Sequence, residues 1–127
     1  MNAFSIFLVS LESYHQYQLN AKEINHVHIL NDSGDRFRFR FVVVSGQGVV
    51  ELTVQMECLD QSNHYVPIVR YDTSHGYFHR DVYCQGEKIM HTEVKGFSNY
   101  SEALEFAKRD LLLNHERYKF EYNNCKK

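Results

Sequence analysis

Residues 70–81 read RYDTSHGYFHRD, a dozen positions holding two arginines, two histidines, two aspartates and two tyrosines around a single glycine. Imidazole moves protons near neutral pH, guanidinium holds negative charge, and a carboxylate orients the imidazole. That equipment suits acid–base chemistry on a phosphate, with His79, Arg70 and Asp72 as the candidate catalytic groups. His75, Tyr77, Arg80 and Asp81 are the candidate binding groups, since exposed tyrosine and arginine stack on bases and anchor interfaces. The alternative is a structural network in which Asp72 accepts turn amides and Arg70 pairs with an acid. Thr73, Ser74 and Gly76 already supply the turn formers, so the histidines and Asp81 are surplus to turning the chain.

Whether these groups meet depends on hairpin register. A four-residue TSHG loop sets Asp72 opposite Tyr77 and Arg70 opposite His79, on one face beside Asp81. A three-residue loop with a bulge at Gly76 sets Tyr71 opposite His79 and swaps the faces. Both remain open at this point.

The remaining candidates are weaker. Arg36, Arg38 and Arg40 could form a phosphate-binding stripe, but Glu51, Gln55 and Glu57 follow on the next strand as cross-strand partners. Exposed pairs of that kind contribute under about 1 kcal/mol. His26 and His28 form an H-x-H pair, and His75 lies four residues from His79. Neither has the ligand density of a H-E-x-x-H or paired-cysteine site, so no metal and no cofactor are expected. His115 reads as a partly buried histidine of a helix, and G-Q-G at 46–48 is a turn without a following helix to cradle phosphate.

The elements that must position these residues show in the hydrophobic pattern. RFRFRFVVV at 36–44 and VVELTVQMEC at 49–58 alternate with period two and read as a hairpin across SGQG. HYVPIVRYD, YFHRDVYC and KIMHTEV continue as short strands, with Pro67 marking an edge or a ladder irregularity. The connections are too short for crossovers, so the meander over 35–95 is antiparallel. Tyr100, Leu104, Ala107, Leu111, His115 and Tyr118 then recur at helical spacing, predicting a helix over 99–120 capped by Ser98 or Asn99. Residues 1–30 are ambiguous: FSIFLVS reads as a strand, LESYHQYQLNAKEI as a short helix, and HVHIL as a strand against 36–44. The expected fold is α+β in one domain over 1–127, a meander of five or six strands with a long C-terminal helix on one face.

The chain has 127 residues, a formal charge of −2, nine Tyr, nine Phe and three cysteines. Slight acidity gives no global attraction to DNA or anionic lipid, so RNA binding needs a local patch. Cys58, Cys84 and Cys125 are far apart and odd in number, which fits reduced thiols in a cytoplasm. The first residues have an apolar run without a basic region or cleavage site, so neither signal peptide nor membrane anchor is expected.

VPIVRYDTSHGYFHRDVY, residues 66–83, resembles an uncharacterised prokaryotic family with a RYDTAHG-x-x-HRD core, with looser agreement in 49–58 and the final helix. The Y-D-x-x-H-x-x-x-H pattern is also similar to TumE-type toxins, though their adjacent pair of histidines is absent here. The first family has no assigned reaction. The second resemblance implies a toxin–antitoxin or defence module. Two functions follow as expectations: a small cytoplasmic accessory protein binding a protein partner or a second copy, or a small metal-independent ribonuclease using His79 and Arg70.

Overall fold

The structure is a computed structural model and describes residues 20–126. Six strands form one antiparallel sheet in chain order: β1 (Ala21–Ile29), β2 (Arg36–Val44), β3 (Gly48–Leu59), β4 (Tyr65–Asp72), β5 (His79–Cys84) and β6 (Glu87–Glu93). Helix α1 (Tyr100–Asn123) follows and packs on β3 and β4. The fold is α+β, as the alternation and the change of period predict.

Alternation along β2 and β3 sorts the two faces. Phe37, Leu52, Val54 and Met56 turn toward α1 and meet Leu104, Ala107 and Leu111 in the core. Glu102 N–H donates to the Asn99 side chain at 2.9 Å, so Asn99 caps the helix, and Glu102 accepts from Ser98 N–H at 3.1 Å. Lys119 ties the far end of α1 to buried Asp35 at 2.8 Å.

The opposite face of the sheet carries the arginine row. Glu57 takes Arg36 at 2.8 Å and Arg38 at 3.0 Å, while Arg40 bonds Glu51 at 2.7 Å and also Glu23. The expected cross-strand pairing therefore forms. Glu57 and Glu23 are buried, so these carboxylates depend on their arginines more than exposed ones would.

Pro67 lies in an interior strand, and the ladder slips there: Met56 pairs with Val69, Glu57 with Pro67, leaving Ile68 over. Proline has no N–H to give the ladder, which accounts for the irregularity. Two expectations need correction. Residues 21–24 of the supposed short helix belong to β1, where Ala21 and Glu23 are buried and Lys22 is exposed. That is strand alternation, stabilised by pairing with Val44 through Phe41. The expected strand FSIFLVS lies outside the described residues, as does the start of that helix. Second, Cys84 and Cys125 form a disulfide with Cα atoms 6.0 Å apart, so they are not reduced thiols. Cys84 ends β5 and Cys125 follows α1, and only the return of the helix across the sheet brings them together. Cys58 is free and buried, and that burial pushes its thiol pKa up. Among the described residues, no helix is long and apolar enough to cross a membrane.

Candidate functional site

The connection between β4 and β5 is built by its own side chains. Thr73 docks on β3, its hydroxyl accepting from Leu52 N–H at 2.9 Å. Asp72 accepts Ser74 N–H at 2.9 Å, an Asx turn, and His75 follows with φ 73°. Phe78 is buried against Tyr71, ring centroids 5.4 Å apart. With Thr73 and Phe78 both held by packing, residues 73–78 leave the ladder, and Asp72 pairs with His79 and Arg70 with Asp81. Neither register expected from the turn is correct. The shift from the four-residue loop is two positions, however, so parity survives and Arg70, Asp72, His79 and Asp81 share the face away from α1.

On that face β6 adds a residue absent from the sequence expectation. Tyr83 pairs with Lys88 but Val82 with Met90, a bulge that carries His91 opposite Asp81. His91 Nδ1 lies 2.6 Å from Asp81 Oδ1, and the Tyr77 hydroxyl lies 2.6 Å from His91 Nε2. His79 Nε2 is 3.5 Å from Asp81 Oδ2, and Lys88 Nζ is 3.2 Å from the same oxygen. His79 Nδ1 faces the Tyr77 carbonyl at 3.2 Å. His79 is 1% and Asp81 2% exposed, whereas the His91 side chain keeps 35%. Burial pushes the Asp81 pKa up, but hydrogen bonds from His91 and Lys88 outweigh it and hold the carboxyl below its ordinary value.

Beside this cluster lies a cleft of about 400 Å³ lined by Arg38, Arg40, Thr53, Gln55, Arg70 and Asp72 among others. Arg70 Nε donates to Gln55 at 2.6 Å, and its guanidinium sits over the Tyr83 ring at 5.4 Å. Arg70 and His91 flank Asp81 on the two neighbouring strands, so their backbones stand about 10 Å apart, two strand spacings. The cleft thus offers guanidinium groups to an anion, and the partly exposed His91 imidazole stands outside its lining, beyond Asp81.

The dozen residues divide between two roles. Tyr77, His79 and Asp81 form the cluster, Arg70 adjoins it, and Asp72 is engaged by the turn. His75 is exposed at the tip, its ring 5.9 Å from that of His79. Arg80 lies on the other face, under α1, donating to the Tyr118 hydroxyl at 3.3 Å. Tyr71 and Tyr118 both donate to Asp110, at 2.6 and 2.5 Å. Burial and that carboxylate push both phenol pKa values up. His91 and Lys88 escaped sequence reasoning. Gln85 and Gly86, both at positive φ, make the tight two-residue turn that QGEK suggests. Counting outward from that turn alone puts Met90 opposite Asp81, and only the bulge corrects it to His91.

No curated protein and no solved structure matches the chain. A family profile described as a domain of unknown function, DUF7718, matches residues 11–127, and the chain belongs to that family.

Proposed function

We propose that the open face of the sheet binds and cleaves a phosphodiester of RNA. The observation that carries this reading is the hydrogen-bonded run Tyr77–His91–Asp81 next to an arginine-lined cleft on the same face. Arg70 and Arg38 hold the phosphate, and His91, braced from both sides, serves the attacking 2′-hydroxyl. The 2′-oxygen bonds to phosphorus, its proton passes to the cluster, and the 5′-oxygen leaves with a proton from solvent. His79 is too buried to touch a substrate, so the accessible histidine takes the place expected for it.

The test is a labelled RNA oligonucleotide with a DNA of the same sequence as control. Cleavage of RNA alone is expected, slowed roughly 10- to 100-fold by Arg70→Ala as charge stabilisation at the phosphate is lost. Intact RNA, or equal cleavage of the DNA, overturns the proposal.

A second reading, association through α1, is favoured by a different observation. Leu113 and Phe120, seven apart, lie on the outer side of the helix, 71% and 68% exposed, while Phe106 at its flank packs on Tyr71 and Phe97. Such a stripe fits a second copy of this chain. Sedimentation should give a dimer that Leu113→Glu converts to monomer; a monomeric wild-type protein at high micromolar concentration sinks this reading.

A further inference from the structure

The pairing of His79 with Asp81 poses a problem that the other contacts do not solve. A carbonyl oxygen only accepts, so the His79 nitrogen facing the Tyr77 carbonyl at 3.2 Å must carry the proton. In neutral imidazole the other nitrogen is then a bare lone pair. That nitrogen, Nε2, points at Asp81 Oδ2 from 3.5 Å, with both residues almost completely buried. Two acceptors face each other out of water. Such a juxtaposition is unfavourable unless something positive lies between them.

We infer that His79, Asp81 and His91 together bind a divalent cation of the zinc type. Their ligand atoms, two imidazole nitrogens and a carboxylate oxygen, all lie within 4.8 Å of one another. Two nitrogens and one oxygen suit a borderline ion such as zinc better than magnesium or calcium, which prefer all-oxygen sets. The outer partners also match. Metal-bound histidines hold their far nitrogen to a carbonyl or similar group, which sets the tautomer and ring orientation. Here one residue does this for both rings: the Tyr77 carbonyl meets His79 Nδ1, and the Tyr77 hydroxyl meets His91 Nε2. The remaining nitrogens, His79 Nε2 and His91 Nδ1, are the two that face Asp81, and His91 Nδ1 already contacts it at 2.6 Å, a contact an ion would replace.

Lys88 supplies positive charge to Asp81 from the surface, and its half-exposed side chain can withdraw when an ion enters. Three protein ligands leave a further position for water or substrate, on the side where His91 is exposed. The sequence alone pointed away from a metal because the third ligand comes from β6, in a register set by a bulge. The inference rests on the geometry of these three residues, not on RNA cleavage; with an ion bound, His91 is its ligand, and the open coordination position rather than the imidazole would serve the attacking hydroxyl.

The test uses the chain stripped of metal with a chelator. Titration with Co²⁺ should give one equivalent of visible absorption with the intensity of four- or five-coordinate cobalt, displaced by Zn²⁺. Calorimetry with Zn²⁺ should give 1:1 binding with a micromolar or tighter Kd. His91→Ala, at the exposed ligand, should fold normally and lose most of that affinity. Tyr77→Phe keeps every ligand and should weaken binding roughly 10- to 100-fold through the second His91 nitrogen. No cobalt band, or binding unchanged in His91→Ala, overturns the site. Zinc binding in a protein that leaves RNA intact upholds the ion site while removing the proposed reaction.

Discussion

Alanine at His91 is expected to reduce RNA cleavage by about 10²- to 10⁴-fold, the usual contribution of a positioned proton-transfer or activating group. Stability should change little. His91 stands on a strand exposed along its whole length, so removing the ring opens no core cavity. Its loss does leave buried Asp81 with one hydrogen bond fewer, a cost of about 1 kcal/mol, with Lys88 still in place. Thermal melts and cleavage rates measured on the same samples separate the two effects. A variant that keeps wild-type cleavage would remove His91 from the reaction. One that loses activity only in proportion to its melting temperature would make the ring a structural brace.

The second large effect concerns the disulfide. Replacing Cys125 by serine, or reducing the bond, should destabilise the protein by roughly 4 kcal/mol if the bond acts by restricting a 41-residue loop in the unfolded chain. In a chain of this size that corresponds to a fall in melting temperature on the order of 10 °C. Helicity should be lost mainly from the last turns of α1, beyond Lys119, where the bond and the Lys119–Asp35 pair share the anchoring. A loss below about 1 kcal/mol would mean that Lys119 and the packing of Tyr118 hold the helix end without it. Denaturant melts with and without reductant measure this directly.

The two strands of the β2–β3 hairpin and the long helix were legible because each obeys a single period over many residues. Arg36 through Phe41 alternates without a break, and the capping by Asn99 is a local signal three residues long. The composition of the site was also legible in part. Arg70, Asp72, His79 and Asp81 share a face as a two-residue change of register requires, since parity alone decides the face. What could not be read was anything set by distant packing. Thr73 leaves the turn because Leu52 on β3 holds it, and Arg80 points away from the cluster because the residue before Asp81 must face α1. His91 needs a bulge for which the chain offers no glycine or proline as a marker. Cys84 finds Cys125 only after the helix has crossed the sheet.

The bulged strand has one more consequence. His79 and Asp81 sit on β5, inside the sheet, but His91 and Lys88 sit on β6, an outer strand of the order whose seven residues are all exposed. Strands with so little buried surface open locally at far smaller free-energy cost than the whole fold. The site can therefore come apart while the protein stays folded, by fraying of one strand from its neighbour. Its occupancy is then governed by that local equilibrium rather than by global stability. A ligand bridging the two strands would close the opening, and amide exchange along β6 would slow by the amount of binding energy spent across it.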